Sequence, residues 1–264
     1  MKTTLLSVAF SAFAFHSFAG EATSSSDKQA VAPPPEPAPY EAGRGLITLE
    51  GPTGMFINPT SATLPQGAFT AQYCFFLPEN DSDPWGHGGL LAYGVTDWLE
   101  VGAIGNYISL DEGEDPIAGG PFARVRLLKD EGWIPQLSIG AYSEFGDTAL
   151  ERYGVFAAWY KRIPIDEDGF IKSIGFHGGL RQTWHESPVE DVFNTYSGIE
   201  IQLPFRLYLV GEVALRDHDA QAETPYAFGV QWRAAGVNIS VAGIQNGNVD
   251  DPAFYFGIGT AWSF

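Results

Sequence analysis

The chain has 264 residues with 32 acidic and 14 basic side chains, a formal charge of -18 and a pI near 4.4. That anionic excess excludes the basic footprint by which proteins hold nucleic acid. With Cys74 as its single cysteine, the chain can build neither an internal disulfide nor a thiolate metal cluster. Aromatic side chains make up 14% of the residues, Gly numbers 31 and Met only 2, a balance that favours β structure over long helices.

In chain order, Lys2 supplies a positive start, Leu5 to Phe15 an apolar stretch, and Ser17-Phe18-Ala19 the small residues of a cleavage site. The pattern predicts an export signal over residues 1–19, because the apolar stretch is shorter than the ~18 residues needed to span a bilayer as a helix. Residues 20–42 are rich in Ser, Ala and Pro, including Pro33-Pro34-Pro35, and are expected to be a disordered linker. Residues 43–66 carry the apolar patches Leu46-Ile47 and Met55-Phe56-Ile57, broken by Gly51-Pro52 and Pro59. That segment fits a short strand pair, a cap or a lumen plug.

From residue 67 to 264 the sequence settles into strand-like runs of about ten residues with turn residues between them. Twelve are counted: 67–77, 88–95, 99–109, 121–129, 134–145, 152–163, 171–184, 192–203, 206–216, 226–233, 237–245 and 253–264. Connections alternate between short turns, such as Thr96-Asp97-Trp98 and Pro204-Phe205, and longer loops. The loops carry most of the acid, including Glu79, Asp81, Asp83, Asp111, Glu112, Glu114, Asp250 and Asp251. Within runs the side chains alternate with a period of two: Leu207, Leu209, Gly211, Val213 and Leu215 on one face, Arg206, Tyr208, Val210, Glu212, Ala214 and Arg216 on the other. A charge facing lipid at mid-membrane costs ~2–4 kcal/mol, so the charged face is expected to be the lumen. The predicted fold class is therefore all-β, a transmembrane antiparallel barrel of about twelve strands. Trp85, Trp98, Trp133, Trp184, Phe205 and Trp262 gather near strand ends, as interfacial girdles do.

The last run, "AFYFGIGTAWSF", places Phe254, Phe256, Ile258, Thr260, Trp262 and Phe264 on one face. Gly259, Trp262 and Phe264 resemble the C-terminal signal that outer-membrane proteins present to the barrel-assembly machinery, with Gly257 where that pattern has a polar residue. At the other end, "NPTSATLPQGAFTAQYCFFLPE" and "GLLAYGVTDWLEVGA" are loosely similar to YjbH-like and porin-like outer-membrane barrels. The resemblance implies residence in a bacterial outer membrane, with membrane lipid, lipopolysaccharide and the assembly machinery as partners. It adds a tie to exopolysaccharide export and transfers no substrate.

Alternation places Glu100, Arg124, Arg126, His177, Arg181, Glu200, Arg206, Glu212, Arg216 and Arg233 in the lumen as constriction candidates. Two readings stand: a narrow water path selecting solutes by charge, or an ion-pair lattice filling a closed lumen. The first makes the protein a passive channel or transport component for small hydrophilic solutes; the second makes it a structural or adhesive envelope barrel. An outer-membrane hydrolase and a secreted β-rich binding module are the remaining alternatives. No Ser lies in a nucleophile elbow and "DEGED" at 111–115 lacks the spacing of a calcium loop, so no catalytic residue, metal or cofactor is expected. Acidic loops beside anionic lipopolysaccharide would call for bridging divalent ions. The sequence is silent on oligomeric state.

Overall fold

A computed structural model describes residues 44–49, 51–78, 85–109, 115–147, 150–186, 190–234, 236–247 and 252–263. The expected export signal, the linker, Phe264 and the loop acids at 79, 81, 83, 111, 112, 114, 250 and 251 lie outside the described residues. Two short strands come first, β1 (Ile47–Thr48) and β2 (Gly51–Thr53), paired only with each other. Twelve longer ones follow: β3 (Ala68–Pro78), β4 (Trp85–Thr96), β5 (Leu99–Ser109), β6 (Ile117–Leu128), β7 (Gln136–Gly146) and β8 (Arg152–Pro164), then β9 (Ser173–His185), β10 (Val192–Gln202), β11 (Leu207–Ala214), β12 (Tyr226–Ala234), β13 (Val237–Gln245) and β14 (Ala253–Ser263). Each pairs antiparallel with its sequence neighbours, and β14 returns to β3 with Gly257 opposite Cys74, closing a twelve-stranded barrel. Closure leaves no unpaired edge along the wall.

The period-two pattern decides which way each residue points. On β11, Tyr208, Val210, Glu212 and Ala214 are buried inside while Leu209 and Val213 are exposed outside. Every strand of the wall contributes to an apolar exterior: Tyr73, Leu91, Val101, Ile117, Ile139, Val155, Leu180, Ile199, Leu209, Val230, Val241 and Ile258 are all outward and exposed. A continuous belt of this kind exceeds by far the few hundred Å² of apolar patch that a water-facing surface carries, so it is built for hydrocarbon. Trp133 and Phe205, at 98% and 86% exposure, stand out from the rim where headgroups would meet water. Lys161 points outward near one end of β8, and Asp130 and the Gly132 carbonyl at the rim take its ammonium.

One end of the barrel carries connections 97–98, 129–135, 165–172, 203–206 and 235–236, and is called the turn end; the other is the loop end. The contrast in length is smaller than the sequence suggested, since 129–135 and 165–172 are as long as loops opposite. The reversal from β10 to β11 is built on left-handed backbone, Phe205 and Arg206 taking φ of 58° and 61°. Positive φ at both positions matches the right-handed twist of the flanking strands but strains non-glycine residues. Strands β4 and β6 begin earlier than expected, because Gly86 and Gly119, weak strand formers, are held by pairing with Ile108 and Gly105.

Candidate functional site: the filled lumen

The described residues of segment 44–66, all but residue 50, lie inside the barrel. Arg44 at its start reaches Glu100 one residue into β5, and Gln66 at its end donates its amide to Asp97 Oδ1 in the β4–β5 turn at 3.0 Å. Leu49, five residues after Arg44, accepts from Arg152 at the loop-end start of β8. The segment therefore enters from the turn end, reaches the loop-end half and comes back. Gly51, Pro52, Gly54 and Pro59 keep it from extending into a strand long enough to join the wall. It folds on itself instead, Gly54 N donating to Leu46 O at 2.8 Å and Leu49 N to Phe56 O at 3.1 Å.

Its apolar side chains fill the middle of the lumen. Leu46, Ile47, Met55, Phe56, Ile57 and Leu64 are each at most 1% exposed. Leu46 packs on Ala261, and the other five pack with wall residues such as Cys74, Leu90, Tyr196, Val210 and Tyr255. Phe56 meets the Tyr255 ring edge-on at 5.6 Å. Gly198 on β10 and Gly257 on β14 make room: a Cβ at the first would stand 2.3 Å from Met55 Sδ, and at the second 2.8 Å from Leu46 Cδ1.

The charged wall residues grip the segment by its main chain. The Glu212 carboxylate accepts three successive amides, Phe56 N and Ile57 N at 2.7 Å and Asn58 N at 3.1 Å, plus Asn58 Nδ2 at 2.9 Å. Consecutive amides converging on one anion form a nest that stabilises its charge inside a low-dielectric interior. Arg124 does the converse, donating to the carbonyls of Thr60, Ala62 and Thr53 and to Thr53 Oγ1 at 2.5 to 3.0 Å. Glu100 joins the two ends: Oε2 accepts from Arg44 at 2.8 Å and from Leu64 N at 2.7 Å, with Arg124 at 4.0 Å from Oε1. Gln231 donates to Met55 O, Tyr196 to Pro59 O, Tyr255 to Ile47 O and Ser138 to Ser61 O.

Of the ten expected constriction residues, Glu100, Arg124, Arg181 and Glu212 touch the segment directly, Arg181 through Asn58 Oδ1 at 3.0 Å. Glu200, Arg233 and His177 form a second buried group nearer the turn end. Arg233 bonds Glu200 at 2.6 Å, stacks 4.2 Å over Tyr208 and holds Gln231, while Tyr160 donates to Glu200 at 3.3 Å. The His177 ring lies tilted against Tyr160 at 4.6 Å with Nε2 3.9 Å from Glu200, and neither ring nitrogen makes a hydrogen bond among the described residues. Arg126 is half-buried near the turn end of β6. Arg206 and Arg216 sit elsewhere than alternation predicted. The positive-φ reversal after Pro204 puts Arg206 in the exposed turn, and β11 stops at Ala214, so Arg216 lies in the loop, donating to Gln221 O at 2.7 Å. Gly259 lines the wall opposite Gln72 and Trp262 faces outward over Phe69, rings stacked at 5.8 Å.

Several lumen residues are not singled out by alternation. Arg152 bridges Glu144 and Leu49 O, and Asn194 links Arg181 to Gln221. Arg44 was missed as well, although it and Glu50 are the only charges between residues 43 and 66, a paucity in so acidic a chain that marks the segment for burial.

No family model matches the chain, and no curated protein matches its sequence. Similar solved structures include a chain from work on the in-meso crystallization of membrane proteins, at 12% identity, TM-score 0.40, covering 75% of this chain and 84% of that one. The β domain of the Bordetella autotransporter Brka is similar at 15% identity and TM-score 0.37, over 75% of this chain and 99% of that one.

Proposed function

We propose that this chain is a bacterial outer-membrane barrel that is shut at rest and serves the envelope as a closed, membrane-embedded anchor. The observation that carries the reading is segment 44–66, which occupies the lumen with six buried apolar side chains and a charged wall bonded to its backbone. A passive channel for small hydrophilic solutes needs a continuous water path, and this segment stands in it. The apolar belt on all twelve strands supports the membrane, and antiparallel closure supports the outer one, where barrels rather than helices span.

Placing the turn end toward the periplasm follows the usual sidedness of such barrels. It puts the described loop-end acids, such as Asp115, Asp147, Asp191 and Asp217, outside, beside lipopolysaccharide, and Arg44 on the periplasmic side. Delivery by the assembly machinery would be signalled by Gly259, Trp262 and Phe264. No catalytic step is assigned. Purified barrel in a planar bilayer is expected to pass no steady current at moderate voltage; a stable open-channel conductance in the unmodified protein would overturn the closed reading.

A further inference from the structure

We propose that residues 44–66 are a displaceable gate: a tethered peptide ligand held through its main chain by Glu212 and Arg124, whose withdrawal toward the turn end opens an ion-permeable lumen. The inference builds on the closed barrel proposed above and asks why the closure is made in this way. Four observations point to a bound ligand and not a fixed filling.

Among its described residues the segment makes no strand pairing with the wall, so leaving costs the barrel none of its own ladder. Both of its ends, Arg44 at Glu100 and Gln66 at Asp97, lie at the turn end, so the intervening chain can back out without threading past a strand. The grip is mainly side chain to backbone: Glu212 takes three amides, Arg124 three carbonyls, and Gln231, Tyr196, Tyr255, Ser138 and Arg152 one carbonyl each. Recognition of that kind is how a binding site holds an extended peptide, with Met55 at Gly198 and Leu46 at Gly257 as its anchors.

The wall behind the segment is charged. Permanent filling is served at least as well by apolar side chains, since buried ion pairs are often replaceable by hydrophobic ones without loss of stability. Here both signs line the wall, in Glu100, Arg124, Arg181, Glu212, Glu144, Arg152, Glu200 and Arg233. Once the segment leaves, these groups would meet water and one another, which suits a hydrated lumen.

The protein contains its own reporter. Cys74, the one cysteine of the chain, is buried on the lumen wall, and both its Sγ and Ile47 Cδ1 lie about a van der Waals contact from the Cβ position of Gly88, at 3.5 and 3.4 Å. In the full-length barrel in lipid, a hydrophilic maleimide is expected to label Cys74 slowly. Glu212→Ala and Arg124→Ala, checked for barrel formation by heat-modifiable migration, should raise that rate about tenfold or more, the population shift expected when a charge-assisted anchor is lost. They should also show stepwise current. Folded variants with unaltered labelling and no current would overturn the gate while leaving the closed barrel intact; steady current in the unmodified protein would sink the closed reading itself. Should neither variant fold, Ile47→Cys decides. Oxidised to Cys74, it should abolish openings driven by high voltage and regain them on reduction, whereas openings indifferent to the cross-link would refute the gate.

Discussion

The outer and inner faces of the same twelve strands obey different rules. Outward, one requirement applies to every position in the belt: be apolar, as Leu91, Ile139, Leu209 and Val241 are, with no particular neighbour needed. Inward, nearly every polar side chain has a named partner, from the Glu212 nest of amides to the Arg124 cluster of carbonyls. Lipid is a uniform solvent and tolerates exchange within a class; a lumen filled by the chain's own peptide is a fitted interface and does not. Errors on the inner face should therefore be costlier and more specific.

The sharpest contrast comes from paired substitutions on one strand. Glu212→Ala strands three buried amides and is expected to lower unfolding free energy by about 3–5 kcal/mol, the cost of breaking a buried charged network. An outward residue of the same strand changed as Leu209→Arg should cost about 2–4 kcal/mol or less, the cost falling toward the rim. Reversible urea titration in lipid vesicles measures both. If Leu209→Arg proves the costlier of the two, the ranking of the faces fails.

A packing change without charge comes next. Gly198→Val pushes a methyl group into Met55 and should cost about 1–3 kcal/mol as overpacking, while Gly211→Val, outward on the next strand with no close neighbour, should cost little. Melting curves of the two variants that coincide would show that the segment does not press on the wall at Gly198. The smallest effect belongs to the turn: Arg206→Gly relieves a positive φ of 61° and should stabilise by about 1 kcal/mol. A destabilised variant would mean that the Arg206 side chain does more than its exposed position suggests.

The outer face was open to inference from the sequence because a lipid-facing wall imposes a period of two, visible without knowing any contact. Tyr226, Phe228, Val230 and Trp232 face out, with Gln231 and Arg233 inside, as alternation requires. The inner face yielded less. Alternation says that Glu212 and Arg124 point inward but not what they meet, since their partners lie 154 to 156 and 62 to 71 residues away in a segment with no period at all. Gly and Pro in that segment erase the strand signal, and a backbone amide recognised by a carboxylate leaves no trace in side-chain identity. Extrapolating alternation also failed where the backbone left the extended region, at Arg206 beyond Pro204 and at Arg216 beyond Ala214.

Hydrogen exchange at Phe56, Ile57 and Asn58, followed by NMR in the folded barrel, interrogates the lumen most directly. Their amides bond Glu212 in the interior. Exchange as slow as that of the wall strands is the predicted result. Exchange at the rate of an exposed loop would contradict it and leave the barrel open.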